Sequence, residues 1–223
     1  MPEDTSLIEY YARRANEYER IYAKPERQAD LSILRQWLQS KCAKHDVLEV
    51  ACGTGYWTEA IASTANSVTA VDINREVLDL ARRKSFPRRN VSFEQFDVYR
   101  LSLNPNYFTA GLAAFWWSHI PKAKVKMFLQ QFHQSLRPDA LVVFVDNLFV
   151  EDSSRPIWRR DHEGNSYQLR TLDDGSRHEV LKNCPAETEL RNAVDEFARD
   201  VEYRALDYYW CLAYRLNSNS SKS

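Results

Sequence analysis

Hydrophobic and polar positions follow two different periods along this chain. Apolar side chains recur every three or four residues in segments 6–23 and 26–41, which predicts two amphipathic helices. Short apolar runs then alternate with further segments of helical period. The runs that predict strands are 46–51, 67–73, 91–96, 107–117 and 141–147, the helical segments are 56–65, 75–84 and 122–136, and a turn is predicted at 137–140. Apolar strands that alternate with helices are typical of a parallel sheet covered on both faces.

The pattern changes after residue 147. Residues 148–164 are polar and irregular, and they are followed by a predicted β-hairpin whose turn contains Asp174 and Gly175. The remaining predicted elements are hairpin strands at 166–172 and 177–182, a helix at 185–198, and strands at 200–206 and 208–216. We therefore predict an α/β, doubly wound fold.

The predicted organisation is one domain over residues 1–216. Residues 1–45 are its helical N-terminal part, residues 148–184 form an insertion that contains the hairpin, and the tail at 217–223 is predicted to be disordered.

Composition narrows the possible environments and partners. The chain has 223 residues, 44% of them hydrophobic, and a formal net charge of -1, so no overall field attracts it to nucleic acid or to an anionic membrane. No apolar run is long enough to span a membrane, and the N-terminus has no secretory pattern. Cys42, Cys52, Cys184 and Cys211 are far apart, which predicts neither a metal site nor a disulfide framework and favours a cytoplasmic location.

A glycine-containing turn follows the first predicted strand, in the stretch VLEVACGTGYWT. Gly53 and Gly55 therefore lie at the strand end where doubly wound sheets bind their ligands, although a tight turn without a ligand is the alternative. Thr58 stands where a dinucleotide site usually has a third glycine, and no lysine follows as in a P-loop. Glu49 is a poor neighbour for a diphosphate, whereas it suits a ligand with an ammonium group.

Two further carboxylates follow the next two predicted strands. Asp72 can accept hydrogen bonds from both hydroxyls of a ribose, Ile73 offers an apolar surface to a base, and Asp97 can accept from an exocyclic amine. Asp97 alone could equally cap a helix. Together these residues predict a site for a nucleoside with a cationic amino-acid end, a description that S-adenosylmethionine fits.

Four segments in combination resemble the class I S-adenosylmethionine-dependent methyltransferase family. They are the glycine stretch VLEVACGTGYWT and the segments VTAVDINREVLDLAR, VSFEQFDV and FTAGLAAFWWSHIP. The resemblance implies a Rossmann-like seven-stranded sheet, mostly parallel with one antiparallel strand near the C-terminus. It implies S-adenosylmethionine as the cofactor and S-adenosylhomocysteine as the product. The implied cofactor-binding residues are Glu49, Ala51, Gly53, Thr54 and Gly55 near the methionine part, Asp72 at the ribose, Ile73, Asp97 and Val98 at the adenine, and Ala114 and Phe115 near the sulfonium.

The resemblance also implies that the N-terminal helix acts as a lid over the cofactor. Tyr11 and Tyr18 would then contact the cofactor, although a core stripe is the other interpretation, and Arg14 is either a solvated charge or an anchor for an acidic substrate group. The acceptor is expected to contact Trp116, Trp117 and Asn147, although a core position for either tryptophan is the alternative. His119 is the candidate general base, ahead of Asp146 and Asn147, and a purely structural role is its alternative. No metal is expected.

These observations predict methyl transfer to nitrogen or oxygen of a small molecule by in-line displacement, in which the protein mainly supplies alignment. The segment FWWSHIP lacks the N-P-P-Y signature of base-amino methyltransferases, and no basic stripe or paired glutamates point to RNA or protein arginine substrates. An RNA or protein methyltransferase with the same cofactor site stays open, as do a nicotinamide-dependent oxidoreductase and a cofactor-binding protein without activity. The oligomeric prediction is a monomer or a homodimer.

Overall fold

A computed structural model of the chain describes residues 5–86, 88–101, 103 and 107–218. Most of the predicted tail, residues 219–223, lies outside these residues. The strands are β1 (Asp46–Val50), β2 (Ser67–Asp72), β3 (Val91–Gln95), β4 (Phe108–Ala114), β5 (Leu136–Asn147), β6 (Arg159–Arg160), β7 (Ser166–Thr171), β8 (Arg177–Leu181), β9 (Ala198–Ala205) and β10 (Tyr209–Leu216).

Seven of these strands form the main sheet, in the order β3-β2-β1-β4-β5-β10-β9. The β1–β2, β2–β3, β1–β4 and β4–β5 pairs are parallel, whereas β10 runs antiparallel to both β5 and β9. The predicted Rossmann-like sheet with one antiparallel strand near the C-terminus is therefore confirmed.

Helices cover both faces of this sheet. They are α1 (Thr5–Arg14), α2 (Gln28–Cys42), α3 (Tyr56–Ala62), α4 (Arg75–Ala81), α5 (Val125–Gln134) and α6 (Glu187–Val194), with 3-10 helices at Ala15–Ala23, Pro25–Arg27, Trp117–His119 and Lys122–Lys124. Side chains of α2, α3 and α4 form one core with the sheet, and side chains of α5 and α6 form a second core on its other face. Successive strand residues alternate between the cores, as Val142 and Val143 do, because side chains in a strand point to opposite faces.

The N-terminal helix differs from its prediction. The α-helix ends at Arg14, and the chain continues as a 3-10 helix over Ala15–Ala23. A 3-10 helix of nine residues is unusually long. Its three-residue repeat places Ala15, Tyr18 and Ile21 on one side, where Tyr18 and Ile21 pack against the first core.

Two sheet boundaries also differ from their predictions. β4 ends at Ala114 instead of continuing to residue 117, because Phe115 has a φ of 61° and a 3-10 helix follows. The predicted turn at 137–140 is instead a bulge within β5: the pairing steps from Phe108–Leu136 to Ala110–Leu141, and Asp139 has a φ of 68°.

The insertion contains the predicted hairpin and one strand more. β6, β7 and β8 form a small antiparallel sheet, and Gly175 has a φ of 81° in the β7–β8 turn. Tyr10 of α1 packs with Leu172 and Val180 of this hairpin. The insertion and the N-terminal helix therefore support each other.

A close approach between β4 and α5 gives a test of the core. A Cβ on Gly111 would lie 2.7 Å from Cζ of Phe132 and 2.8 Å from Cδ1 of Leu136. We expect Gly111→Ala to lower the free energy of unfolding by about 1–3 kcal/mol, since overpacked cores are strained. Urea denaturation of the variant and of the wild type measures this. Equal denaturation midpoints for Gly111→Ala and the wild type would contradict this packing.

Candidate active site

A cavity of about 1090 Å³, including its mouth, opens at the carboxyl ends of β1, β2 and β4. The strand order reverses here, because β2 and β3 lie on one side of β1 and β4 lies on the other. Open α/β sheets bind their ligands at such a point. The predicted site residues that line this cavity are Tyr11, Tyr18, Ala51, Gly53, Asp72, Ile73, Asp97, Val98, Ala114, Phe115, Trp116 and His119.

The turn after β1 is shaped by left-handed backbone conformations. The φ angles of Ala51, Gly53 and Gly55 are 52°, 56° and 76°. A Cβ on Gly53 would come no closer than 3.9 Å to another residue, the Tyr18 ring, so a ligand can approach this backbone. A Cβ on Gly55 would instead meet Cβ of Ala81 at 3.2 Å. Gly55 therefore permits close packing against α4 and is not in the cavity lining, and its predicted contact with the cofactor stays a prediction.

Thr54 is also outside the cavity lining, and its predicted contact with the cofactor stays a prediction. Its hydroxyl donates a hydrogen bond of 2.6 Å to the carboxylate of Glu19, which also accepts one of 2.6 Å from Nζ of Lys84. The Thr54 side chain therefore joins the glycine turn to the N-terminal 3-10 helix and does not line the cavity.

Asp72 ends β2 and holds the glycine turn. One carboxylate oxygen accepts a hydrogen bond from the backbone N–H of Gly53 and the other accepts one from Asn74, each at 2.9 Å. Burial raises the pKa of Asp72, while these N–H donors lower it. A carboxylate has about four acceptor positions, so Asp72 retains capacity for hydroxyl donors in the cavity.

Glu49, near the end of β1, is not in the cavity lining, and its predicted contact with the methionine part of the cofactor stays a prediction. Its side chain is buried, at 1% exposure, and its Oε2 atom has no hydrogen-bond partner among the described residues. Burial raises the pKa of Glu49 to about 8, and the neighbouring Thr58 hydroxyl offsets part of that rise. A cationic group in the cavity would stabilise the ionised carboxylate.

The cavity also has an apolar side. Ile73, Val98 and Tyr99 line it beyond Asp72. Asp97 lies in the same lining, and its Oδ1 atom accepts a hydrogen bond of 2.9 Å from the backbone N–H of Tyr99. Asp97 therefore caps a local turn and also lines the cavity. Both the capping role and the predicted contact with a ligand retain support.

Tyrosines of the N-terminal segment form one wall of the cavity. The Tyr11 hydroxyl lies 2.8 Å from Nε2 of His119, and Tyr18 packs edge-on against Tyr11 with ring centroids 5.9 Å apart. Tyr22 lies deeper, where its hydroxyl accepts a hydrogen bond of 3.1 Å from Nε1 of Trp57. The tyrosine stripe thus combines core packing with the cavity wall.

His119 is buried and neutral. Its Nδ1 atom lies 2.7 Å from the carbonyl oxygen of Leu181, which can only accept, so the ring proton is assigned to Nδ1 and Nε2 accepts from Tyr11. Burial, together with the cations Lys182 and Arg170, holds the pKa of His119 well below its usual range.

The two tryptophans have different surroundings. Trp116 lines the cavity, and its buried Nε1–H has no partner among the described residues. Trp117 is in the core, with ring centroids 4.9 Å from Phe144 and 6.0 Å from Trp210. β4 ends before Trp117, and the ring is buried in the following 3-10 helix outside the lining of this cavity. Its predicted contact with the acceptor stays a prediction.

A second cavity adjoins the first and shares the side chains of Tyr11, Tyr18, Phe115 and His119 with it. The predicted residues Arg14 and Asn147 line this second cavity. Its lining also contains cations that the sequence analysis did not identify: Arg27, Arg155, Arg170 and Lys182.

Within residues 5–218, apart from 87, 102 and 104–106, no group of three or more His, Cys, Asp and Glu side chains could hold a metal ion. Over the same residues, no helix combines the length and apolar character needed to cross a membrane.

Comparison with known proteins gives matches over this sheet. A family model described as "Methyltransferase domain" matches residues 47–139. The malonyl-[acyl-carrier protein] O-methyltransferase of Acetivibrio thermocellus is 28% identical over 138 residues, which are 60% of this chain and 47% of that protein. The demethylmenaquinone methyltransferase of Staphylococcus aureus (strain MRSA252) is 28% identical over 102 residues, 44% of this chain and 42% of that protein. The chain thus spans less than half the length of either curated relative.

Solved structures extend the similarity to nearly the whole chain. The DhpI-SAH complex is 26% identical, with a TM-score of 0.78 over 96% of both chains. The DhpI-SAM-HEP complex is 25% identical, with a TM-score of 0.77 over 96% of this chain and 100% of that one. Together with the sheet order and the glycine turn at its switch point, the family-model match and these structures support a class I S-adenosylmethionine-dependent methyltransferase.

Proposed function

We propose that this chain binds S-adenosylmethionine and transfers its methyl group to a small-molecule acceptor. The observation that carries the proposal is the cavity at the switch point, whose lining contains Asp72, together with the buried Glu49 carboxylate near the end of β1, which has an oxygen unpartnered among the described residues. These groups fit a nucleoside whose far end is cationic. The complexes of DhpI with SAM and SAH support the same cofactor here.

Residues of the cavity can be assigned to parts of this cofactor. We assign the ribose hydroxyls to Asp72, the adenine to the surface of Ile73, Val98 and Asp97, and the methionine part to the backbone at Ala51 and Gly53. When bound, S-adenosylmethionine supplies a methyl group on a positively charged sulfur. Ala114, Phe115 and Tyr18 then position the reactants and exclude water, because displacement from a good leaving group depends mainly on alignment.

Calorimetric titration tests the cofactor assignment. We expect S-adenosylhomocysteine and S-adenosylmethionine to bind to the chain and NAD⁺ and NADH not to bind. Binding of only the nicotinamide cofactors would contradict the proposal. Incubation with methyl-labelled S-adenosylmethionine and separate metabolite, RNA and protein fractions of a cell extract then tests the acceptor class, and we expect the label in the metabolite fraction.

The buried histidine is proposed to position Tyr11 rather than to act as a base. Burial, together with Lys182 and Arg170, disfavours its imidazolium form, and its Nε2 lone pair already accepts from the Tyr11 hydroxyl. We therefore propose that the acceptor atom arrives already deprotonated.

Replacing this histidine tests the proposed positioning role. With an acceptor found in the labelled fractions, we expect His119→Gln to retain kcat within about tenfold, whereas loss of a general base typically costs 10²–10⁴-fold. The pH profile of kcat should keep its shape in the variant. A larger loss, together with disappearance of a pH inflection, would identify His119 as a base after all.

A further inference from the structure

The second cavity is next to the proposed cofactor site and is bounded by the N-terminal segment, the hairpin insertion and the end of β5. It has a volume of about 1410 Å³, including its mouth. The two cavities share four lining residues, which are Tyr11, Tyr18, Phe115 and His119. If the first cavity holds the methyl donor, as proposed above, the second is the compartment from which an acceptor reaches it. The inference below therefore rests on the proposed function.

Positive charge dominates the lining of this compartment. The cationic residues are Arg14, Arg20, Lys24, Arg27, Arg155, Arg170 and Lys182, and the acidic ones are Glu17 and Asp173. Both carboxylates are already engaged beside Arg20: Asp173 accepts a hydrogen bond of 2.6 Å from Arg20, and Glu17 accepts one of 3.3 Å from the backbone N–H of Asp173. The other cations are therefore not neutralised by the acidic residues of the lining.

Arg170 on β7 is the most informative of these cations. Its side chain is buried, with the residue at 9% exposure. Its Nη2 atom donates to the neutral Gln168 at 2.9 Å, and its buried Nε–H has no hydrogen-bond partner among the described residues. No described carboxylate lies within 4 Å of its guanidinium group. A buried charge without a counter-ion is costly, so such an arrangement points to a partner that is not part of the chain.

Arg27 is a second buried cation whose hydrogen-bond partners are neutral. It is 7% exposed and donates to Oδ1 of Asn147 at 3.1 Å and to Oγ of Ser153 at 2.9 Å. The Glu26 carboxylate is separated from it by the Ser153 hydroxyl, which donates to Glu26 at 3.2 Å.

Lys182 is a buried cation that, unlike Arg170 and Arg27, has a carboxylate counter-ion within the described part of the chain. It is also 7% exposed, yet its Nζ atom is 3.1 Å from the carboxylate of the fully buried Asp146 and 2.5 Å from the Ser118 hydroxyl. Arg170 and Arg27 are buried to a similar degree as Lys182, but among the described residues they lack the carboxylate partner that Lys182 has.

Aromatic rings hold the arginines in the lining. The guanidinium carbon of Arg14 lies 5.7 Å from the centre of the Tyr10 ring, and that of Arg170 lies 5.8 Å from the same centre. Arg14 also lies 5.2 Å from the Tyr18 ring, which lines both cavities. Cation–π contacts fix the position of a guanidinium without neutralising its charge, so these groups remain able to pair with an anion.

We infer that the methyl acceptor carries an oxyanion, either a phosphate-type group or a carboxylate, which docks on Arg170 with Arg27 and Arg14 in the same lining. Guanidinium groups bind both kinds of oxyanion through paired N–H donors. This docking would anchor one end of the acceptor in the second cavity while its reactive atom faces the wall formed by Tyr18 and Phe115.

Thermal unfolding in the presence of simple anions tests this inference. The probes are inorganic phosphate, sulfate and acetate, each compared with chloride at equal ionic strength. We expect at least one probe to raise the Tm of the wild-type chain, and we expect its affinity to fall at least tenfold in Arg170→Met. Arg177→Gln, an exposed arginine on β8 of the same hairpin, is the matched control and should behave as the wild type.

Two further measurements on Arg170→Met distinguish a failure of this inference from a failure of the proposed function. Arg170→Met should be at least as stable as the wild type in chloride, because it removes an uncompensated buried charge, and it should bind S-adenosylhomocysteine within about twofold of the wild type. If this variant fails to fold, Arg14→Gln provides the same comparison at a half-buried position.

Stabilisation by phosphate and sulfate alone would assign a tetrahedral oxyanion, and stabilisation by acetate alone would assign a carboxylate. If no probe acts differently from chloride, or if the arginine variants respond as the wild type does, the inference is wrong. Failure of the wild type to bind S-adenosylhomocysteine while it still binds an anion would instead overturn the proposed function.

Discussion

Asp72→Asn is expected to weaken the binding of S-adenosylhomocysteine by about 100-fold or more. A carboxylate that accepts from two ribose hydroxyls makes two charge-assisted hydrogen bonds, each worth about 1.5–3 kcal/mol. The same carboxylate accepts hydrogen bonds from Gly53 and Asn74, whereas an asparagine amide has a single acceptor oxygen. The substitution therefore removes contacts to the ligand and also loosens the turn that faces it.

Calorimetry with S-adenosylhomocysteine measures this loss, and Asp79→Asn on α4 is the matched control. Asp79 is about half exposed and pairs with Arg82 at 3.1 Å, outside the lining of the first cavity. Its variant has the same change in charge and should keep the wild-type affinity. A dissociation constant of Asp72→Asn within threefold of the wild type would refute the assignment of the ribose to this residue.

Glu49→Gln is expected to have opposite effects on the stability of the free chain and on cofactor affinity. The ordinary pKa of a glutamate is 4.5, and burial raises that of Glu49 to about 8 in the folded chain. Between these values the folded state retains a proton that the unfolded state has released. The contribution of Glu49 to stability is therefore complete below about pH 4.5 and is lost as the pH rises through about 8.

A glutamine at this position has no such pH dependence. At pH 8 the ligand-free variant should be more stable than the wild type by about 2–4 kcal/mol, and the difference should disappear near pH 4.5. Its affinity for S-adenosylhomocysteine should be about tenfold weaker at pH 7.5, since an ionised Glu49 attracts the ammonium group of the ligand.

Urea denaturation at several pH values and calorimetry at pH 6.0 and 7.5 test both effects. Glu59→Gln, an exposed glutamate on α3, is the matched control. Parallel stability curves for the Glu49→Gln variant and the wild type would show that the carboxyl titrates normally. An unchanged affinity would show that Glu49 does not respond to the ligand.

The sheet and its ligand edge could be predicted from sequence because both depend on local signals. Near-continuous apolar runs such as 67–73 and 141–147 identify buried parallel strands, and carboxylates directly after them lie at one edge of the sheet. Asp72, Ile73, Asp97 and Val98 are accordingly together in one cavity lining. Their roles in cofactor binding stay predictions until the titrations are made.

The orientation of individual turn residues depends on distant parts of the chain and could not be predicted in this way. Thr54 turns towards Glu19, and Gly55 packs on Ala81. Trp117 was assigned to a strand that actually ends three residues earlier, at Ala114. In each case the orientation of the residue depends on a tertiary contact or a φ angle that the local sequence pattern does not indicate.

The basic lining of the second cavity was missed for a related reason, since its arginines come from distant segments. One local signal was present. In the predicted strand 166–172, Gln168 and Arg170 alternate with Tyr167 and Leu169, and the structure buries the polar pair. A strand that turns polar side chains inward indicates a polar site, because such groups are rarely buried without a purpose.

Tyr11 and Tyr18 belong to the walls of both cavities, and both are carried by one N-terminal segment. Lifting that segment would break the contacts of Tyr11 with His119 and of Glu19 with Thr54 in the same event. If the first cavity holds the methyl donor and the second the acceptor, as proposed, one segment closes both, and we expect release of S-adenosylhomocysteine and of the methylated product to have the same rate-limiting barrier.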